Sequence, residues 1–149
     1  MKALVVYDSV YGNTEKIAKA IGGAITGDVR VLRVSEVNPS ELETIDLFIV
    51  GSPTHGGRPT PAIKEFLRKM PANALKNVSV TSFDTRVTNI LARAFGYAAG
   101  RIADSLKDKG GRLAAVPEGF IVEGTKGPVK EGELERAADW AKGILESNK

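Results

Sequence analysis

Strand-like and helix-like patterns alternate along the chain, and this alternation limits the possible folds more than any other feature. Five short runs of apolar and β-branched residues, each bounded by turn residues, predict strands at residues 2–7, 29–34, 45–51, 77–83 and 112–116. Near-continuous apolar strands separated by helices are typical of a parallel sheet that is covered on both faces. We therefore expect an α/β protein.

Apolar residues at helical spacing fill the intervals between these strands. They predict helices that begin at Asn13, near Ile63 and at about Glu131, a long helix from Ile90 to Lys107, and a short turn of helix over 40–43. Five strands in 149 residues favour the sheet order 2-1-3-4-5 over the larger dinucleotide-binding sheet. The prediction is one domain over residues 1–149, a three-layer sandwich with a five-stranded parallel sheet between two layers of helices.

Composition restricts the chemistry. The chain has no Cys and a single His, which excludes disulfides, thiol nucleophiles, cysteine-ligated clusters and multi-His metal sites. We expect no metal site, and any redox chemistry would need an organic cofactor. The net charge of +3 is mild and the basic residues are interleaved with acidic ones, so we expect no nucleic-acid partner. No apolar run reaches the ~18 residues of a membrane helix, and no secretory leader pattern is present, so a cytoplasmic protein without a membrane partner is expected.

In such sheets the ligand lies beyond the carboxyl ends of the strands, where the first and third strands are neighbours. The loop after the first strand runs from Asp8 to Thr14 and joins a buried strand to a helix. The first N–H groups of that helix lack internal partners and favour a negative charge. The loop contains Gly12 but no Lys or Arg, so a phosphate here would be held by dipoles alone. The simpler interpretation is a helix cap at Asn13 or Thr14.

Two competing nucleotide motifs are absent from this loop. Neither the G-x-x-x-x-G-K-S/T phosphate loop nor G-x-G-x-x-G follows the first strand. Asp8 alone could suggest the acidic pocket of a response-regulator receiver. That interpretation needs an aspartate at the end of the third strand, where this chain has Val50-Gly51-Ser52.

The loop sequence Ser9-Val10-Tyr11-Gly12-Asn13-Thr14 resembles the phosphate loop of the flavodoxin family, Ser/Thr-x-Ser/Thr-Gly-Asn-Thr. Tyr11 is its one departure. The resemblance covers essentially the whole chain and implies the flavodoxin-like fold, FMN as the cofactor, and contacts to the FMN phosphate from all six residues.

The loop after the third strand, Gly51-Ser52-Pro53-Thr54-His55-Gly56-Gly57, resembles the second flavin loop of the same family. Its start is similar to flavodoxin-type quinone reductases and to the flavodoxin modules of diiron flavoproteins. The resemblance implies flavin contacts from Pro53, Thr54, His55, Gly56 and Gly57. His55 would stack on the inner face and Gly56 would present its peptide to the flavin N5. The alternatives are an exposed loop histidine and a plain Gly-Gly turn.

The third loop contains Phe83-Asp84-Thr85-Arg86, which resembles the F-D-T-R stretch of some prokaryotic flavodoxin-domain proteins. The resemblance implies that these four residues lie along the pyrimidine edge of the flavin, with Asp84 near N3 and Arg86 near N1. The alternatives are a helix cap at Asp84 and a surface charge at Arg86. No aromatic residue lies between Asp84 and Phe95, so the outer flavin face is open or is covered by Arg86 or by a partner chain.

The stretch Gly119–Pro128 either shields one side of the site or packs as a surface loop, and Trp140 is expected at the edge of the core. The leading hypothesis is an FMN-binding electron carrier with no catalytic acid or base, which passes electrons between a reductase and an acceptor protein. One alternative is an FMN-dependent NAD(P)H:quinone reductase. The other is a non-redox domain that binds a different phosphate ligand. Whether the chain is an enzyme is left open, with the carrier preferred.

Overall fold

The computed structural model describes residues 1–87 and 97–147. Within these ranges it contains six strands, four α-helices and two short 3-10 helices. In chain order they are β1 (Lys2–Tyr7), α1 (Asn13–Ala24), β2 (Asp28–Arg33), the 3-10 helices Val34–Glu36 and Pro39–Glu43, β3 (Leu47–Pro53), α2 (Pro61–Lys69), β4 (Ser79–Arg86), α3 (Ala98–Asp108), β5 (Arg112–Leu113), β6 (Glu118–Ile121) and α4 (Glu133–Ser147).

The sheet is parallel and has the order β2-β1-β3-β4-β5, which confirms the predicted topology. β2 lies at one edge, as its alternating sequence predicted. Tyr7 at the end of β1 pairs with Gly51 of β3, and Gly51 pairs with Phe83 of β4. The loops that follow β1, β3 and β4 therefore start from the same edge of the sheet.

The prediction for the last strand was wrong in one respect. A single strand over residues 112–116 and then a long connection were expected, but β5 ends at Leu113 and a second short strand, β6, follows. Both strands pair with β4: β5 pairs with its first residues, and β6 pairs with its last four, Phe83–Arg86. β4 continues three residues beyond its predicted end, because it pairs there with β6 on one side and, as far as Thr85, with β3 on the other.

Two apolar clusters, one on each face of the sheet, form the core. Ala3, Val5 and Tyr7 of β1 belong to the cluster under α1 and α4, whereas Leu4 and Val6 belong to the cluster under α2 and α3. Alternate side chains of a strand point to opposite faces, so this burial explains why β1 is apolar at consecutive positions. Each large aliphatic side chain buried in this way contributes about 1.5–3 kcal/mol.

The predicted long helix from Ile90 to Lys107 is not continuous, because it is interrupted at Tyr97. Tyr97 has extended backbone angles (φ −138°, ψ 153°), and α3 starts at Ala98. The first part of the predicted helix, residues 90–96, lies outside the described residues. Trp140 of α4 packs edge-on against Phe83 and Phe120, with ring centroids 6.4 and 5.9 Å away, which confirms its place beside the core. None of the helices in the described ranges is long and apolar enough to span a membrane.

Candidate ligand-binding cleft

A cleft of about 400 Å³ opens at the carboxyl edge of the sheet, where the three loops meet. Twelve of the fifteen predicted site residues line it: Ser9, Val10, Tyr11, Asn13, Thr14, Pro53, Thr54, His55, Gly56, Gly57, Thr85 and Arg86. Three residues that were not predicted, Val87, Val122 and Thr125, complete the lining. Gly12, Phe83 and Asp84 are outside it. The loops chosen from the sequence therefore meet at one cleft.

The first loop presents backbone N–H groups at the start of α1. Gly12 has φ 92°, a left-handed conformation that glycine adopts without strain, and as the N-cap residue it has no side chain to cap the helix. In the part of the chain that the structure describes, the N–H groups of Val10, Tyr11, Asn13 and Thr14 have no acceptor. The alternative of a cap at Asn13 or Thr14 is thus wrong. The helix N-terminus is available to an anion.

Side chains around this loop hold its shape. The Ser9 Oγ accepts the N–H of Gly12 at 3.0 Å and that of Glu15 at 3.4 Å. The Thr14 Oγ1 lies 2.8 Å from the Thr85 Oγ1, which ties the start of α1 to the end of β4. These contacts preorganise the N–H groups before any ligand binds.

Cations from distant parts of the chain lie beside the loop, although the loop itself has none. Arg33 of β2 donates to the Ser9 carbonyl at 3.0 Å and pairs with Glu15 at 3.1 Å. Lys126 lies over the Tyr11 ring, with its Nζ 6.0 Å from the ring centroid. The local sequence of the loop, which has no Lys or Arg, did not indicate these neighbouring positive charges.

The buried Tyr7 side chain contacts the same region through Glu15. The Tyr7 hydroxyl donates to the Glu15 Oε2 at 2.7 Å. Burial, reinforced by this hydrogen bond, raises the pKa of Tyr7 to about 12. The hydrogen bond from Tyr7 is also the main reason that the pKa of Glu15 is lowered. Both groups therefore keep their neutral-pH states, a neutral phenol and a carboxylate.

The second loop ends in a tight turn. The His55 N–H donates to the Arg58 carbonyl at 2.9 Å, and the Arg58 N–H donates to the His55 carbonyl at 3.1 Å. Gly56 and Gly57 between them both have positive φ, 58° and 80°. Two successive positive φ values define a type I′ turn, which explains the Gly-Gly pair. His55 and Gly56 are exposed at the rim of the cleft.

Thr54 fixes the base of the second loop to its neighbours. Its N–H donates to the Thr85 carbonyl at 2.9 Å, and its Oγ1 accepts the N–H of Ala98 at 3.0 Å. The loop is therefore attached both to β4 and to the start of α3.

In the third segment the side chains of Phe83 and Asp84 face away from the cleft. Phe83 is fully buried against Phe120. Asp84 is also fully buried, and its Oδ2 accepts the N–H of Ala99 at 2.9 Å. The alternative for Asp84, a helix cap, is what the structure shows. Phe83 already lay at the end of the predicted strand, and the extension of β4 makes Asp84 a residue of a central strand rather than of a loop.

Arg86 is held in a fixed position at the cleft. Its Nε and Nη2 donate to the two carboxylate oxygens of Asp84 at 2.7 and 2.8 Å. The guanidinium carbon lies 3.4 Å from the centroid of the Tyr97 ring, and a Cβ on Gly119 would fall within 2.1 Å of the same carbon. The guanidinium is therefore confined by an aromatic ring and a glycine backbone, and it is not a free surface charge.

The segment after β6 forms one side of the cleft through Val122 and Thr125. It packs on the first loop, because a Cβ on Gly127 would fall 2.6 Å from the Asn13 Oδ1. Of the two interpretations of Gly119–Pro128, the structure supports the one in which this stretch shields the site. The length of the stretch was the sequence signal for this role.

An open parallel sheet, doubly wound, with a cleft at the switch between β1 and β3 and the N-terminus of α1 beside that cleft, defines an α/β protein of the doubly wound class. The family model described as Flavodoxin matches residues 5–140. The chain belongs to the flavodoxin family.

Individual relatives agree with this assignment. Over 65 residues the chain is 43% identical to the putative diflavin flavoprotein A 5 of Nostoc sp., a match that covers 38% of this chain and 11% of that protein's length. The fold is similar to that of oxidised flavodoxin 1 from Bacillus cereus, with a TM-score of 0.81 and 18% identity over 98% of each chain. It is also similar to rubredoxin oxygen:oxidoreductase from Desulfovibrio gigas, with a TM-score of 0.75 and 21% identity over 99% of this chain and 37% of that one.

Proposed function

We propose that this protein binds FMN in the cleft and carries electrons between redox proteins. The observation that supports this most strongly lies in the first loop and the start of α1, where Val10, Tyr11, Asn13 and Thr14 offer unpaired N–H groups beside a cleft of about 400 Å³. A dianionic phosphate monoester matches such a helix terminus. Family membership and the flavoprotein relatives support the choice of a flavin.

The described residues fit the two ends of FMN differently. The first loop and Lys126 would hold the phosphate. The His55-Gly56-Gly57 turn and the pair Thr85 and Arg86 would hold the ring. The cleft volume lies within the usual range for small-ligand sites. When bound, FMN supplies one- and two-electron transfer, and the protein orients it and adjusts its surroundings.

The lining favours a carrier over an enzyme that moves protons. Within residues 1–87 and 97–147, no carboxylate lines the cleft. Arg86 is committed to Asp84 by two hydrogen bonds. His55 and Tyr11 are the remaining titratable side chains of the described lining. An electron carrier needs no general acid or base, whereas an enzyme that protonates its substrate does.

The first experiment identifies the cofactor and its anchor. The visible spectrum of the purified protein, and chromatography of the released chromophore, should show FMN. Affinity for FMN should exceed affinity for riboflavin, which lacks the phosphate, by at least tenfold. Gly12→Ala should reduce that difference, because alanine at φ 92° costs about 1–2 kcal/mol and displaces the N–H groups. Equal binding of the two flavins, or no uptake of FMN, would contradict the proposal.

The second experiment separates a carrier from a quinone reductase. The FMN-loaded protein should not oxidise NAD(P)H with a quinone on its own. It should be reduced once a flavodoxin reductase is added, and should then pass electrons to a protein acceptor. Steady NAD(P)H oxidation by the protein alone would establish the enzyme instead.

A further inference from the structure

A second, larger depression of about 810 Å³ lies between α2 and α3. We call it the α2–α3 groove. Apolar groups line part of it, from Pro59, Pro61, Leu67 and Ala72. Nothing in the proposed flavin chemistry uses this groove, so its composition needs a separate explanation.

Basic side chains frame the groove: Arg58, Lys64, Arg68, Arg101 and Lys109. Two acidic residues, Glu65 and Asp108, accompany them, and Glu65 already accepts two hydrogen bonds from Arg68 at 2.9 and 2.6 Å. The groove thus has a surplus of three positive charges, which equals the net charge of the whole chain. In the rest of the sequence, the total numbers of basic and acidic residues are equal.

The groove is next to the cofactor cleft. Gly57 lines the cleft, and Arg58, the next residue of the same turn, lines the groove. The exposed rim of the cleft, at His55 and Gly56, therefore adjoins the positive surface. A partner that occupies the groove would lie beside the cleft, as electron transfer requires.

We propose that the α2–α3 groove docks the acidic face of a redox partner protein. This inference rests on the proposed electron-carrier function and deepens it. A partly apolar surface with a charged rim is the usual anatomy of a protein interface. A localised positive surplus attracts acidic proteins from solution and orients them, and it repels basic ones.

The test is a titration of the ¹⁵N-labelled protein, as purified, with zinc-substituted rubredoxin, a small acidic protein that cannot change redox state. At low salt, amide shifts should concentrate in residues 56–72 and 101–109. Lys64→Glu should raise the dissociation constant at least fivefold. Lys142→Glu, an equal charge change at an exposed position on α4, should change it less than twofold. In 0.5 M NaCl the unsubstituted protein and the Lys142→Glu variant should both bind rubredoxin far more weakly.

Three outcomes would overturn the docking site: shifts centred on another face, equal losses in the two variants, or no binding at low salt. Basic cytochrome c should produce no shifts in the groove, and shifts there would also overturn it. The titration involves no electron transfer, so it gives its answer even if the flavin experiments fail. Conversely, a yellow, FMN-loaded protein that does not bind rubredoxin through the groove would refute only the docking site.

Discussion

A single substitution in the ion pair of Asp84 and Arg86 should lower the free energy of unfolding by more than its small change in side-chain size suggests. Arg86→Met keeps most of the side-chain length but removes both hydrogen bonds to Asp84, which are 2.7 and 2.8 Å long. Asp84 is fully buried, and Ala99 supplies its one remaining donor in the described ranges. The substitution therefore leaves a buried carboxylate without its countercharge.

The expected loss of unfolding free energy follows from the burial of Asp84. Removing one partner of a buried ion pair costs roughly 3–5 kcal/mol. The Arg86 side chain is 20% exposed, so the lower end, about 3 kcal/mol, applies. Asp84→Asn keeps an acceptor for the Ala99 N–H and removes the charge, so the double variant should be no less stable than Arg86→Met alone. The coupling free energy between the two sites should be about 2 kcal/mol.

The assay is urea unfolding of the flavin-free protein, so that differences in FMN affinity do not enter the measured stability. Arg68→Met is the matched control. Arg68 binds Glu65 through the same two-bond fork, at 2.9 and 2.6 Å, but the two side chains are 69% and 48% exposed. Exposed ion pairs contribute little, so the midpoint of this control should not move. Equal losses at the two forks, or a coupling energy near zero, would refute the reasoning from burial.

Two further predictions concern the packing at Gly51 and Gly143 and the ionisation of Tyr7. A Cβ on Gly51 would fall 2.0 Å from the buried Phe83 ring, so Gly51→Ala should destabilise the protein by about 1–3 kcal/mol in the same assay. Gly143→Ala on α4, where a Cβ meets nothing within 4 Å, should instead stabilise it by about 0.5–1 kcal/mol; similar effects of the two changes would contradict the packing described. In a spectrophotometric titration, one of the three tyrosines should ionise near pH 12, and Tyr7→Phe should abolish that step. The folded pKa of Tyr7 is raised, so its stabilising contribution is present below pH ~10 and disappears as the pH rises towards 12; ionisation of all three tyrosines together near pH 10 would contradict this.

Some parts of the site could be predicted from sequence because they depend on local periodicity and on one rule of parallel sheets. The apolar runs identified β1, β3 and most of β4. Since the carboxyl ends of parallel strands share an edge, the loops after them had to meet, and twelve of their predicted residues line one cleft. The Gly-Gly pair after His55 likewise indicated a tight turn from its own residues.

Other features depend on partners that no local pattern reveals. The pairing of the end of β4 with β6 on one side and with β3 on the other extended the strand, with Asp84 in the interior and Arg86 at the cleft. Arg33 and Lys126 reach the first loop from distant segments.

The distribution of charge also has one part that the sequence determined and one part that the tertiary structure decided. Composition alone determined the net charge of +3, and the sequence showed basic and acidic residues interleaved. Only the packing of α2 and α3, together with the residues that flank them, gathered five of the basic side chains around one groove next to the cleft. Residues far apart in sequence become neighbours only when helices pack. The local pattern could therefore predict a mixed surface, and the tertiary structure alone decided where the positive surplus lies.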